Sequence, residues 1–304
     1  MRMSHQARFG VVVLLCALLL LGAGILTAIF VGSNPAKSPV TYKKKSLEAW
    51  FYGSRTNFFA KRTRQAAQEA FDATGTNAVA FLLLKLKAAR GNDPLYCRLY
   101  VILPAWAQSR LPYAISGDDI KAIALDHLRQ TTRLSGEQVQ AMADCVAGFR
   151  NPWLRMSGFQ MMRMKHQADP AFLGLCRKLL NDEEPGIQLE AAIWLGQSAL
   201  ASDPGEPRLF PILIAGLESK ERRKASADLR LYTFRQHPPG GTGRIFVGLP
   251  PSFQSKMQEE SKLQEEALRE EILRALDRLE RYLTQEQREH LRRAEKAARV
   301  VSQN

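Results

Sequence analysis

From Phe9 to Ala36 the chain runs twenty-eight residues without an Asp, Glu, Lys or Arg. Within that stretch Gly10 to Val31 reads GVVVLLCALLLLGAGILTAIFV. As a helix it would cover about 33 Å at roughly 1.5 Å per residue, the thickness of a bilayer's hydrocarbon core. We read residues 1–33 as a single-pass transmembrane anchor, with residues 10–31 in the lipid bilayer. A cleaved signal is the alternative. Arg2 and Arg8 supply its basic start and Val31-Gly32-Ser33 its small residues, but the apolar core exceeds the roughly 7–15 residues such signals use. Cys16 lies inside the run rather than at its end, where a lipid-bearing cysteine belongs.

Two arguments oppose each other on sidedness. Lys37, Lys43, Lys44 and Lys45 outnumber Arg2 and Arg8 across the run, which places the body on the cytoplasmic side. A short basic leader ahead of an apolar run is how an exported protein begins. We take the extracytoplasmic side as the expectation.

Charge is distributed unevenly. The whole chain carries 43 Lys plus Arg against 30 Asp plus Glu. Residues 1–45 hold six basic and no acidic groups, residues 46–252 hold 26 against 19, and residues 253–304 hold eleven of each. Lys43, Lys44 and Lys45, at the end of a basic linker over residues 34–45, are best placed to contact anionic lipid headgroups. No segment shows a dense basic stripe with interleaved aromatics, so nucleic acid is not an expected partner.

From Ser46 onward the punctuation is that of helices with short connections. RTRQAAQEAFDAT (62–74) sets Ala66, Ala67, Ala70, Phe71 and Thr74 on one stripe. Gly75 stops it, and Asn77 is placed to cap AVAFLLLKLKAAR, which is apolar over most of its circumference and should lie between neighbours. These two helices are expected to form an antiparallel hairpin. Asn92-Asp93-Pro94 opens another helix, with a kink expected at Pro104. Ser135 with Gln138 has capping-box spacing. Asn151-Pro152 and Asp169-Pro170 place a capping side chain before a first-turn proline, and Pro185 and Pro207 open two more helices. Sustained alternation is missing, so no sheet of consequence is expected.

Helices of this length, paired by short loops over residues 46–236, suggest stacked hairpins, each burying its stripe on the next. AAQEAFDATGTNAVAFLLLKL resembles a HEAT-type repeat: an Ala-rich first helix, a Gly-containing turn and a Leu-rich second helix. IQLEAAIWLGQSALASDPGEPRLFPILIAGL resembles another, with Ala191-Ala192, Leu195-Gly196 and Pro211 in the corresponding places. The lead-in YKKKSLEAWF is similar to the segment before such repeats in membrane-anchored bacterial proteins. The resemblance implies an all-α fold, an α-solenoid of stacked hairpins whose surface binds another protein.

A Pro/Gly-rich loop is expected at 237–252, followed by charged helices over 253–304. Leu268, Ile272, Leu276, Leu279 and Leu283 form a narrow seam there, which either caps the last repeat or pairs with a second copy. LTQEQ at 283–287 resembles the LTxxQ motif of periplasmic stress and metal-sensing proteins, and Thr284 with Gln287 also has capping spacing.

Chemistry is harder to find. The histidines at 5, 127, 166, 237 and 290 are dispersed, and Cys97, Cys145 and Cys176 make no close pair. Met156, Met161, Met162, Met164 and His166 form one cluster of soft donors, which motivates an envelope sensor or metal-binding module as the alternative function. No nucleophile–base signature and no nucleotide loop are written, so no catalytic residue, cofactor or metal ligand is nominated and an enzyme is not expected. The expected task is that of a membrane-anchored scaffold for protein–protein interaction.

Overall fold

The computed structural model describes residues 40–56, 61–88, 91, 96–97, 100, 114–131, 134–198, 206–234 and 251–301. These residues are predominantly helical. The apolar run at 10–31, the helix start at 92–94, Pro104 and residues 237–250 of the expected loop lie outside them. Among the described residues, no helix is long and apolar enough to cross a membrane.

The chain divides into two compact units, Met1–Thr74 with Arg90–Gly117, and Gly75–Ala89 with Asp118–Asn304. In the first, strands β1 (Thr41–Tyr42) and β2 (Lys45–Ser46) pair antiparallel, Thr41 opposite Ser46 and Tyr42 opposite Lys45. This hairpin occupies part of the expected linker. Helix α1 (Leu47–Thr56) follows at once, with Ser46 Oγ accepting from the Ala49 amide at 3.2 Å. Leu47 and Phe51 are fully buried on the side of α1 that meets α2 (Lys61–Thr74), where Ala67, Ala70 and Phe71 complete the small core. Small alanines let the two backbones close on the phenylalanines. At the end of α2, Thr74 Oγ1 donates to the Ala70 carbonyl at 2.8 Å. Gly75 then turns the chain at φ +53°, a left-handed value natural to glycine.

The second unit begins with α3 (Thr76–Ala88), in whose first turn Asn77 lies, so Asn77 is not the cap. Nor is α3 enclosed all round. Ala78, Val79, Leu82 and Leu86 are buried, while Leu84 is 61% exposed. Within this unit α3 packs on α5 (Gly136–Ala147). Between them in sequence runs α4 (Gly117–Gln130), and after α5 come α6 (Pro152–His166), α7 (Pro170–Leu179) and α8 (Pro185–Gln197). Helices α9 (Leu209–Glu218), α10 (Lys220–Phe234), α11 (Pro251–Leu279) and α12 (Gln285–Val301) complete it, with a 3₁₀ turn at Glu280–Tyr282.

The helix starts follow local chemistry. Ser135 and Gln138 cap each other reciprocally at α5. The Asn151 and Asp169 carboxamide and carboxylate oxygens accept from the amides two residues on, at 3.0 and 2.8 Å. Each such cap contributes about 1 kcal/mol. Pro251 and Ser252 already belong to α11, proline at a first turn giving up no helical hydrogen bond.

Helix α8 is the centre of the unit. It touches α6, α7, α9, α10 and α11, and Ile187, Leu189, Ala191, Ala192, Ile193 and Leu195 are all buried. The seam of α11 also turns inward: Leu268, Ile272, Ala275 and Leu276 are fully buried where α11 meets α8, α9 and α10. Full burial of a Leu or Ile side chain contributes about 1.5–3 kcal/mol. The charged tail therefore belongs to the same compact unit as the helices before it.

Close approach of α11 to α8 depends on one glycine. A Cβ placed on Gly196 would stand 2.8 Å from the Ala275 Cβ. Gly196→Ala is expected to destabilise the protein by about 1–3 kcal/mol through overpacking. Gly174, inside α7, has open space around it, and Gly174→Ala is expected to stabilise by about 0.5–1 kcal/mol. Thermal melting of the two variants should move in opposite directions.

Candidate functional site

Two features stand apart from ordinary packing. The first is the turn that carries all three lysines singled out from the sequence. Lys43 (φ 45°) and Lys44 (φ 63°) are its two central residues, and positive φ at both is the signature of a type I′ hairpin loop. Such loops favour Asn-Gly. A side chain with a Cβ pays about 1–2 kcal/mol for the left-handed conformation. Two lysines in succession are thus held against their preference.

Aromatic rings hold the hairpin from behind. Trp50 Nε1, on α1, donates to the Tyr42 carbonyl at 3.1 Å, and the Tyr42 and Trp50 rings lie 6.3 Å apart. The Lys45 ammonium sits 4.7 Å from the Trp50 ring centre and the Lys43 ammonium 5.0 Å from that of Tyr42, contacts worth about 0.5–1 kcal/mol at an exposed site. Lys43 also lies 3.8 Å from Glu69 of α2, both well exposed. Lys44 projects into solvent and has no side-chain partner among the described residues.

The second feature is a buried ion-pair cluster in the other unit, which sequence reasoning passed over. Glu190, midway along α8, has no solvent exposure at all. The Arg230 guanidinium, from α10, grips it through Nε and through Nη2 at 2.9 Å. The same guanidinium donates to both oxygens of Glu271 on α11, at 2.6 and 3.1 Å. Ser226 Oγ donates to Glu190, Gln160 Nε2 of α6 lies 3.5 Å from it, and Arg163 stands 3.9 Å away. Four helices thus meet in one cluster: α6 and α10 on the Glu190 carboxylate of α8, and α11 through Glu271 on the same guanidinium. The signal was present: Glu190 is the one charged residue of α8 and stands between Leu189 and Ala191 in an otherwise largely apolar helix, and an acid buried there must find a cation.

Burial acts to depress the Arg230 pKa, but the charge of Glu190 and the bonds from both carboxylates outweigh it and raise it. For Glu271 burial acts upward, yet the Arg230 contacts prevail and hold its carboxyl below the ordinary value of 4.5. A smaller cluster fastens the preceding turn. Arg155 Nη1 donates to the Phe149 carbonyl at 2.6 Å and Nη2 to Asp182 at 2.9 Å, while Nε makes an ion contact with Asp182 at 2.8 Å without hydrogen-bond alignment.

The other sequence candidates are not brought together. Met156, Met161 and Met162 are buried, whereas Met164 is 57% exposed, so the soft donors divide between core and solvent. Among the described residues, no group of His, Cys, Asp or Glu could hold a metal ion. Cys176 is wholly buried and burial pushes its thiol far up; Cys145 is pushed up for the same reason. Thr284 and Gln287 of LTQEQ cap α12 reciprocally.

The described residues are predominantly helical, with a basic two-stranded hairpin directly before the first described helix. Comparison with known families, with characterised proteins and with solved structures gives no match.

Removing one member of the buried cluster leaves its partner charged and unpaired. Arg230→Ala is expected to cost about 3–5 kcal/mol, and Arg230→Met combined with Glu190→Leu and Glu271→Leu to recover most of it. Chemical denaturation measures both. Because the folded carboxyl of Glu271 titrates below its unfolded value, its contribution is full above that value and disappears as pH falls through the folded one. Melting temperature measured downward from neutral pH should therefore fall less steeply for Glu271→Gln than for the native chain.

Proposed function

We propose that this chain is a membrane-anchored helical-repeat scaffold of the HEAT type, which holds another protein along its repeat surface. The observation that carries the reading is the packing order of the second unit. From α5 to α11 each helix touches the next, and four next-but-one pairs also touch: α5 with α7, α6 with α8, α8 with α10 and α9 with α11. Stacked hairpins produce that order, because each hairpin buries its apolar stripe on the next. The apolar run at residues 10–31 supports the anchor, and α11 with its buried seam suits the closing element that a stack of repeats requires.

Such a body needs rigidity more than reactive groups. The Glu190 cluster supplies it by locking four helices in one register. Partner binding would use exposed side chains on the outer helix faces, among which Leu84 of α3, Met164 of α6 and Leu263 of α11 are large, apolar and uncovered.

Photo-crosslinking in intact cells tests this. A photoreactive residue is introduced singly at positions 84, 164 and 263 of the full chain. One and the same second protein is expected at one or more of these positions, and no product at exposed Lys224 on α10. Absence of any product, or a different scatter of products at each position, would overturn the scaffold reading. Carbonate extraction tests the anchor independently: the full chain is expected to stay with the membranes.

A further inference from the structure

The Lys43-Lys44 turn is difficult to explain as structure alone. Its conformation is one that Asn-Gly adopts without strain, yet the chain places two cationic side chains there and a third, Lys45, immediately after. Strain of this kind persists where the surroundings over-determine it, and here they do. The Trp50 indole anchors the Tyr42 carbonyl, and the Val40 carbonyl accepts from the Leu47 amide at 3.2 Å, closing the hairpin at its base. The rings of Trp50 and Tyr42 stand under the Lys45 and Lys43 ammoniums, which keeps both charges displayed beside Lys44. Lys43 lies twelve positions after Val31, the end of the apolar run. At about 3.3–3.6 Å per residue the tip can never stand farther than ~43 Å from that end.

We propose that this hairpin is a headgroup-contacting tip that selects anionic phospholipid, its three ammoniums against the lipid phosphates and Tyr42 and Trp50 at the interfacial level. The inference rests on the anchored reading above. Residues 1–45 carry no acidic group; the exposed Glu69 beside Lys43 offsets part of one charge, and each remaining Lys near an anionic surface strengthens association about fivefold. Tyr and Trp suit that depth because each joins an apolar ring to a polar edge. Tethering beside the bilayer means that the tip meets lipid at high local concentration, so modest attraction for each charge suffices.

The experiment uses the full chain reconstituted into vesicles of phosphatidylcholine alone, or of phosphatidylcholine with phosphatidylglycerol. A membrane-permeant acetylating reagent is applied, and labelling of each lysine is read by mass spectrometry, with exposed Lys224 and Lys262 as internal references. Lys44 is expected to label several-fold more slowly in the anionic vesicles, and high salt should remove the difference. Equal labelling in both compositions, with the protein floating alongside the vesicles, would overturn the tip while leaving the anchor intact. Failure to float with either would instead overturn the anchor. Equal protection of Lys44 by inorganic phosphate without vesicles would mark a plain anion site and also overturn the proposal.

A turn variant supplies the second readout. Lys43→Asn with Lys44→Gly is expected to raise the melting temperature, because the strain is relieved, and to abolish most of the lipid-dependent protection of Lys45. Lys43→Arg with Lys44→Arg should keep that protection. A lower melting temperature for the Asn-Gly variant would show that the lysines serve the fold, and would overturn the assignment.

Discussion

A carboxylate with no surface open to solvent dictates much of the second unit. Glu190 sits at the middle of α8, and its charge can be tolerated only if a cation and further donors surround it. Arg230 and Ser226 answer from α10 and Gln160 from α6, with Glu271 on α11 closing the far side of the guanidinium. Apolar burial is non-directional and on its own discriminates only weakly against sliding by a turn. The bidentate geometry does not tolerate it, since a shift of one turn would strand Arg230 between apolar side chains. Hydrophobic burial supplies the attraction, and the ion cluster selects one register.

Around that point the glycine and alanine pattern becomes intelligible. Gly196 lies six residues beyond Glu190 on α8 and faces Ala275, four residues beyond Glu271 on α11. The backbones must approach at that place for Arg230 to span both carboxylates. Gln197 Nε2 then donates to the Glu271 carbonyl at 2.9 Å, and Arg278 reaches back to the Gln197 carbonyl. Polar and apolar contacts thus alternate along the α8–α11 seam.

Legibility in the sequence tracked the range of the interaction. Helix starts were readable because a cap involves residues two or three apart: Ser135 with Gln138, Asn151 before Pro152, Thr284 with Gln287. The stripe of α2 and the seam of α11 were readable because helical period marks a face whatever covers it. What covers it was not readable. The seam at Leu268 to Leu276 gave no sign whether a neighbour or a second copy would meet it, and in the structure α8, α9 and α10 do. The hairpin at 41–46 escaped notice because Lys-Lys is the opposite of a turn signal, and its closure depends on an indole eight residues from the carbonyl it binds. Arg230 escaped because its partners lie 40 and 41 residues away, a pairing that local spacing does not express.

The first unit is built from two separate lengths of chain, Met1–Thr74 and Arg90–Gly117, with α3 contributed to the other unit in between. A ribosome delivers those lengths in order. When α1 and α2 have emerged, their unit still lacks its second segment, and α3, which follows, waits for α5 to cover its apolar face. Neither unit can be completed before the chain has been made well past residue 117, so the early product carries the apolar face of α3 uncovered until α5 follows it.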